Sequence, residues 1–478
     1  MGNRAAILAL ACGLLLAACD GGAPDDEQSS LRQPRPSPST KTDPLIALVG
    51  TMTGPDSWRG DDAYQAAHLA VYGELNRRRG PGELPFELLS ADDEGDPELA
   101  LELIKGYAAE PRTVGIVYAG PPEVLQKAQP LLAEAGVPGI LLYEDLYSAR
   151  LLRSHLFQLA PPYLWQARRL ATYIGRDRGY DRVGALLERS LEGRTAGRSL
   201  RAALADRRRI RLRIERYEPG EEPALGRSLG ALGRANVEAL VFQGGPAAAA
   251  TLFSELRERG ASYVDTAAAK AAGTRRRRSQ PRRRWRPQVM LFDGAMGPRL
   301  GGGIPAGTVA AESYARGAYY LPVPSFREFL TDFRGWWDSE PYGWQQRTYE
   351  GVLAVGWAAR RTSPGEDHAR ALQTMRDERL GGLGITFGPD DHTSVEQTTI
   401  GLWVVPRPAA EVRERDRLPD SMPWVPLARG FSLDGEHIDY RPEDWRYLVR
   451  NPPPPNGPSP PWKRSRFGVV TGAKDPVH

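Results

Sequence analysis

The sequence predicts an α/β fold made of two doubly wound parallel-sheet lobes. Three observations carry the prediction. Short, continuously apolar runs alternate with amphipathic stretches of helical period from residue 45 onward, the rhythm of parallel strands covered on both faces by helices. The pair Pro161-Pro162 interrupts that rhythm, and a second series of similar length follows it. The opening unit, residues 45–78, joins an apolar run to a helix through a glycine-bearing loop. Loops of this kind lie beyond the carboxyl ends of parallel strands, where open α/β sheets form their crevices.

In the opening unit, residues 45–49 lie between Pro44 and Gly50 and read as a fully buried strand. Thr51, Thr53, Gly54 and Pro55 make the loop. A helix is predicted over 61–78 because Ala63, Ala66, Ala67, Ala70, Val71 and Leu75 recur three and four apart. Asp61 and Asp62 fall in its predicted first turn, where the helix dipole favours negative charge. Further strands read at 84–90, 114–119, 137–143 and 156–159, with helices at 97–109 and 123–135. After Pro162, helices at 163–178, 193–207, 224–235 and 246–259 alternate with strands at 182–187, 211–217, 238–243 and 288–292. A strand at 308–313 comes next, then helices at 326–338, 346–361 and 369–378. A β pair of 386–387 with 399–405 completes the regular part.

The 478 residues suffice for two or three domain-sized units, and 41% apolar content supplies ordinary globular cores. The net charge of +4 is small for this length and by itself implies no nucleic-acid partner. Arg4 precedes an apolar run, 5–18, that is too short to span a membrane. The run ends Leu16-Ala17-Ala18-Cys19 and resembles a bacterial lipobox. The resemblance implies a signal peptide over 1–18 and lipidation of Cys19; the other reading is a plain secretory signal with an incidental cysteine. The second cysteine, Cys12, lies in the removed segment, so the processed chain would carry no disulfide. Residues 19–43 offer almost nothing to bury and read as a flexible tether.

Family features then follow one another along the chain. Leu-Ile-Ala-Leu-Val-Gly-Thr-Met-Thr-Gly-Pro at 45–55 precedes Gly60, Ala66-Ala67 and Leu75-Asn76. Ser90-Ala91-Asp92-Asp93 leads through Asp96-Pro97 into a helix. Gly136-Val137-Pro138, Val241-Phe242-Gln243-Gly244-Gly245 and Thr348-Tyr349-Glu350-Gly351-Val352 come later. In order and spacing these segments, from about 44 to 406, resemble a type I periplasmic binding protein of the branched-chain amino-acid-binding branch. The resemblance implies two lobes hinged around a ligand cleft, with the chain crossing between them three times. It divides the chain into a first lobe of 44–160 with 308–380 and a second of 161–307 with 381–406. A basic insert at 265–287 belongs to the second lobe, and 407–478 is a proline-rich extension. The implied function is capture of a small polar ligand (an amino acid, amide or related molecule) and its delivery to an ABC permease. The protein would be lipid-anchored at the cell membrane, facing the periplasm or the outside. A ligand-sensing or envelope-partner role on the same fold is the alternative.

The resemblance also marks candidate ligand residues at strand-end loops. Trp58 and Arg59 stand where relatives place an aromatic against the ligand; a surface loop is the other reading. Gly120 and Pro121, in Gly120-Pro121-Pro122-Glu123, replace a serine-rich turn that grips a carboxylate. The prolines remove amide donors there. Tyr143 and Glu144 replace a small hydroxyl-bearing turn, and Glu144 either receives a cation or caps a helix. Tyr163, at the start of the helix that opens the second series, is counted with them. Glu192 occupies the place of a stacking tyrosine. Asp293 ends a strand where relatives hold the ligand's ammonium, although an acid there is also an ordinary cap. Gly245, with Gly244, offers close-approach backbone. If Glu144, Glu192 and Asp293 converge, the cleft is acidic and suits a polar or cationic ligand.

From Arg275 to Arg286, eight of twelve residues are arginine. Such a run suits anionic lipid or wall polymer beside a membrane, or is simply a solvated loop. Residues 451–462 are proline-dominated and read as extended. Catalytic and metal signatures are missing from the sequence. The six histidines are scattered without helical metal spacing, and neither a nucleophile elbow nor a phosphate-binding loop occurs. The expectation is a binding protein, not an enzyme, with no cofactor.

Overall fold

A computed structural model describes residues 42–404, apart from 55–56, 143–154, 219, 221, 261–284, 296–303, 306, 313–323, 340, 342, 364, 379, 382–384 and 395–400, together with short strands further on. The first lobe starts with β1 (Leu45–Gly50), all six residues of which are buried. That is why β1 reads as an unbroken apolar run rather than an alternating one. α1 (Ser57–His68) follows and continues as a π-helical stretch, Leu69–Leu75. β2 (Glu87–Asp92), α2 (Pro97–Ala108), β3 (Thr113–Ala119), α3 (Pro122–Ala135), β4 (Gly139–Leu141) and β5 (Leu156–Gln158) complete a five-stranded sheet. Its order is β2-β1-β3-β4-β5 and every pairing is parallel. Local chemistry sets the helix ends. Asp96 caps α2 by accepting from the Glu98 N–H, with Pro97 in the first turn, and Gly136 ends α3 at φ 67°.

The second lobe contains α4 (Tyr163–Thr172), β6 (Arg182–Glu188), α5 (Leu191–Leu204), β7 (Arg211–Tyr217), α6 (Glu222–Arg234), β8 (Ala239–Gln243), α7 (Pro246–Glu258), β9 (Gln288–Phe292) and β10 (Val309–Glu312). The chain then returns to the first lobe for α8 (Pro324–Trp337), α9 (Gly343–Ala359) and α10 (His368–Leu372). It crosses a third time into β11 (Gly401–Val404) and β12 (Val425–Pro426). The second sheet has the order β12-β11-β10-β9-β8-β6-β7, with β11 and β12 antiparallel at one edge. A small antiparallel sheet of β13 (Phe431–Leu433), β14 (Glu436–Ile438) and β15 (Val470–Thr471) belongs to the C-terminal extension.

Three places differ from the sequence reading. α1 begins at Ser57, so Asp61 and Asp62 lie beyond the first turn; Asp62 instead accepts a hydrogen bond from Gln345 of α9. β10, expected in the first lobe, pairs in parallel with β9 of the second sheet. Residues 385–393, expected in the second lobe, stay with the first. Thr393 bridges to Gln158, and Phe387 packs edge-on to Phe157 at 5.0 Å. The expected pairing of 386–387 with β11 is accordingly replaced by a bridge between Ile385 and Glu378.

Two apolar cores each fill one face of a single sheet, one around Leu45, Val49 and Ile116, the other around Val183, Val241 and Met290. A third and larger core includes Ile46 and Val117 of the first sheet and Leu186, Leu240 and Leu291 of the second. Buried apolar side chains are thus continuous from lobe to lobe. Among the described residues no helix is long and apolar enough to cross a membrane.

Candidate functional site

The lobes meet where strand ends and helix starts from both sides converge. From the first lobe, α1 presents Trp58 and Arg59 in its opening turn, and α9 presents Trp344 and Arg347. The Trp58 and Trp344 rings meet edge-on at 5.3 Å, and both are about 5% exposed. The Arg59 guanidinium lies 5.5 Å from the Trp58 ring centre and 5.8 Å from that of Trp344. Arg347 lies 5.6 Å from the same Trp344 ring. Trp344 is therefore flanked by two guanidiniums, an arrangement favoured by the negative face of the indole.

Opposite stand the carboxyl ends of the second sheet. Glu188 ends β6, and its carboxylate accepts from the Tyr217 hydroxyl at 3.2 Å and from the Gly245 N–H at 3.4 Å. Burial pushes the Glu188 carboxyl above its ordinary range, while Arg59 across the seam pulls it down and Glu192 pushes it up. Gly245 faces Arg59: a Cβ there would stand 3.7 Å from the guanidinium. At Gly244 a Cβ would overlap the Tyr217 hydroxyl, so only glycine fits. Glu123, in the first turn of α3, is raised first by burial and then by Glu192 of the other lobe. The acidic side of the seam is thus built from both lobes.

Asp293 follows β9. Its carboxylate meets Arg347 of the first lobe at 2.7 Å, and the side chains are 5% and 7% exposed. The Asp293 N–H donates to Gln166 at 2.8 Å, and the Gln166 amide donates to the Pro161 carbonyl at 2.8 Å. Arg347 in turn donates to the Gly343 carbonyl at 3.0 Å. One buried ion pair therefore ties α9 of the first lobe to a strand end and, through Gln166, to the crossing segment at Pro161.

The structure brings Trp58, Arg59, Gly245, Glu192 and Asp293 to this seam. It gives Tyr163 another position, packed edge-on against Phe292 at 5.2 Å in the second-lobe core. Gly120 is pressed against the Tyr118 hydroxyl, and Pro121 precedes α3 as its cap residue. Tyr143, Glu144, Cys19 and most of the basic insert, including Arg275, lie outside the described residues, whereas Arg286 is within them. Asp293 faces an arginine of its own chain, which changes the expectation of an acid left for a ligand's ammonium. Sequence reasoning missed Trp344, Arg347 and Glu188. A signal existed for the first two: Gln345, Gln346, Arg347 and Thr348 are consecutive polar residues in a helix whose remaining residues, Glu350 apart, are apolar, aromatic or glycine. Among the described residues no group of three or more metal-ligating side chains is placed to hold an ion.

Comparison with known proteins agrees with this architecture. Residues 45–280 match the family model described as periplasmic binding protein. No curated protein matches the chain in sequence. Among solved structures, a leucine binding protein from Thermotoga maritima MSB8 superposes with a TM-score of 0.61 at 14% identity, covering 76% of this chain and 96% of that one. A possible leucine/isoleucine/valine-binding protein from Rhodopirellula baltica SH 1 gives 0.62 at 14% identity, covering 82% and 98%. A branched-chain amino acid transporter substrate binding protein from Streptococcus pneumoniae, in complex with isoleucine, gives 0.60 at 15% identity, covering 76% and 96%. With two parallel-sheet lobes, three crossings and a family match that begins at β1, the chain has the fold of the type I periplasmic binding proteins, and its residues 45–280 resemble that solute-binding family in sequence.

Proposed function

We propose that the protein is an extracytoplasmic solute-binding lipoprotein. It captures a small polar ligand, an amino acid, amide or related molecule, between its lobes and delivers it to an ABC permease. The observation that carries this reading is the convergence of Trp58 and Arg59 from one lobe on Glu188 and Gly245 from the other. A ligand touching both sides is held best when the lobes are shut, so binding and closure are one equilibrium. Solved proteins of this fold include a branched-chain amino acid transporter substrate binding protein in complex with isoleucine, which supports the ligand class. The signal at 1–18 and Cys19 support a lipid anchor at the cell membrane, and the arginines of 275–286 support a contact with anionic lipid or wall polymer. A sensing role on the same fold is the second reading, supported by one observation: Arg347 and Asp293 join the lobes through a direct buried ion pair.

A thermal-shift screen of amino acids, amides, polyamines and carboxylates tests the reading. One class is expected to raise Tm, since a ligand at a hundred times its Kd stabilises by about 2.7 kcal/mol. The effect is expected to vanish in Trp58→Ala. A screen in which no class shifts Tm, or in which W58A responds like the native chain, overturns it.

A further inference from the structure

A pocket of about 200 Å³ opens on the first lobe between the π-helical stretch, α8 and the C-terminal half of α9. None of the residues that meet across the lobes lines it. Tyr349, Leu353 and Trp357 line it from one face of α9 at spacings of four, and Arg360 lines it from just beyond the helix end. Its floor is apolar and deeply buried, with Phe329, Leu353 and Leu75 each less than 5% exposed.

Two features define what it could hold. The charged groups at its rim are engaged within the chain: Arg78 with Glu74 at 2.9 Å, Arg77 with Asp332 at 3.5 Å, and Arg360 with Glu83 at 3.2 Å. Arg361 lies over the Trp357 ring, 3.9 Å from its centre. The rim thus offers little net attraction to an ion of either sign. Tyr349, in contrast, is 5% exposed and its hydroxyl has no hydrogen bond among the described residues. Burial, reinforced by the Glu74 and Asp332 carboxylates, holds this phenol protonated, well above the ordinary range. The hydroxyl is therefore a donor awaiting an acceptor. The indole N–H of Trp357 is likewise buried without a partner among the described residues. One unused donor, the Tyr349 hydroxyl, therefore stands beside carboxylates that accept, over an apolar floor.

We propose that this pocket is a second binding site, taking a neutral planar molecule that carries an N–H donor beside a carbonyl acceptor, such as an aromatic amide or a lactam-type heterocycle. The ligand carbonyl accepts from Tyr349, its ring lies against the apolar floor, and its N–H groups donate to the rim carboxylates. The site is independent of the interlobe seam.

Saturation-transfer NMR and calorimetry on the full chain test this with nicotinamide, benzoate and benzylamine, which share a ring and differ in charge. Nicotinamide is expected to bind, with the two charged probes weaker by about tenfold or more. Tyr349→Phe is expected to weaken nicotinamide by about tenfold, the worth of one buried hydrogen bond, without lowering Tm. Trp58→Ala is expected to leave nicotinamide binding unchanged. The proposal is overturned by an absence of saturable nicotinamide binding at millimolar concentration, by equal binding of a charged probe, or by binding that Y349F leaves intact. Loss of binding in W58A would move the ligand to the seam and overturn it too.

Discussion

Glu188 shows how one residue links the seam to solution conditions. Its carboxyl is raised above the ordinary 4.5 chiefly by burial, against the pull of Arg59. Between the unfolded and folded values the folded protein holds more protons, so its stability falls as pH rises. The contribution of Glu188 is complete below the unfolded value and is lost as pH passes through the folded one. Glu123, Asp93 and Glu74 are raised in the same direction, each mainly by burial. Through these four carboxyls, stability is therefore expected to decline as pH rises above the ordinary carboxylate range, while His68, His368 and His392, held below the ordinary imidazole value by burial, act in the opposite direction near neutrality. Glu188→Gln, which keeps the shape and can still accept from Tyr217, is expected to make that decline shallower. An unchanged slope in calorimetric scans of E188Q would show that Glu188 carries no excess proton. At this scale the sequence was only partly legible. Trp58, Arg59 and Asp293 were marked by the family resemblance, and the structure brings them to the seam. Arg347 does not, because helical period marks the apolar face but not which polar side chain in a buried helix meets a distant acid.

At the scale of elements, α9 organises the first lobe. Every residue from Gly343 to Gly356 is buried, and the helix runs across β3 and against α1 and its π-helical continuation. Such a helix fits only where its neighbours give room. Gly115 of β3 gives it: a Cβ there would overlap the Val355 side chain. Gly356 does the same for Leu75, where a Cβ would stand 2.6 Å from Leu75 Cδ1. Gly115→Ala is expected to lower stability by about 1–3 kcal/mol through overpacking, measured by urea denaturation, and Val355→Ala in the same chain is expected to return part of the loss. An additive double variant would mean the clash is relieved elsewhere. The βα rhythm itself was legible because parallel strands buried on both faces stand out as continuous apolar runs. The lobe to which β10 and residues 385–393 belong was not, because it depends on pairing with β9 and with Gln158, partners remote in sequence. A strand's composition reports burial and carries no address.

At the scale of the whole molecule, two cohesive forces join the lobes: a continuous apolar core and the Arg347–Asp293 pair. Their consequences differ. The apolar contact is non-directional and tolerates small rotations, whereas a buried ion pair holds only in one geometry. Opening the lobes would return both charges to water, so the pair stabilises the shut form by the difference between its attraction and its desolvation. Removing one partner makes the balance one-sided. Arg347→Ala leaves Asp293 buried in the shut form without its guanidinium, a cost of about 3–5 kcal/mol if nothing relaxes. Opening hydrates Asp293 and relieves that cost, so the population moves toward an open form, each 1.4 kcal/mol shifting the ratio about tenfold. Small-angle scattering of R347A is expected to show a larger radius of gyration than the native chain. Arg347→Met with Asp293→Leu, which removes both charges and keeps the bulk, is expected to restore the native radius. A ligand with an ammonium group is expected to close R347A, since it would supply the cation that Asp293 has lost. Were R347A as compact as the native chain, the apolar core alone would be holding the lobes together, and the ion pair would be a passenger at the seam.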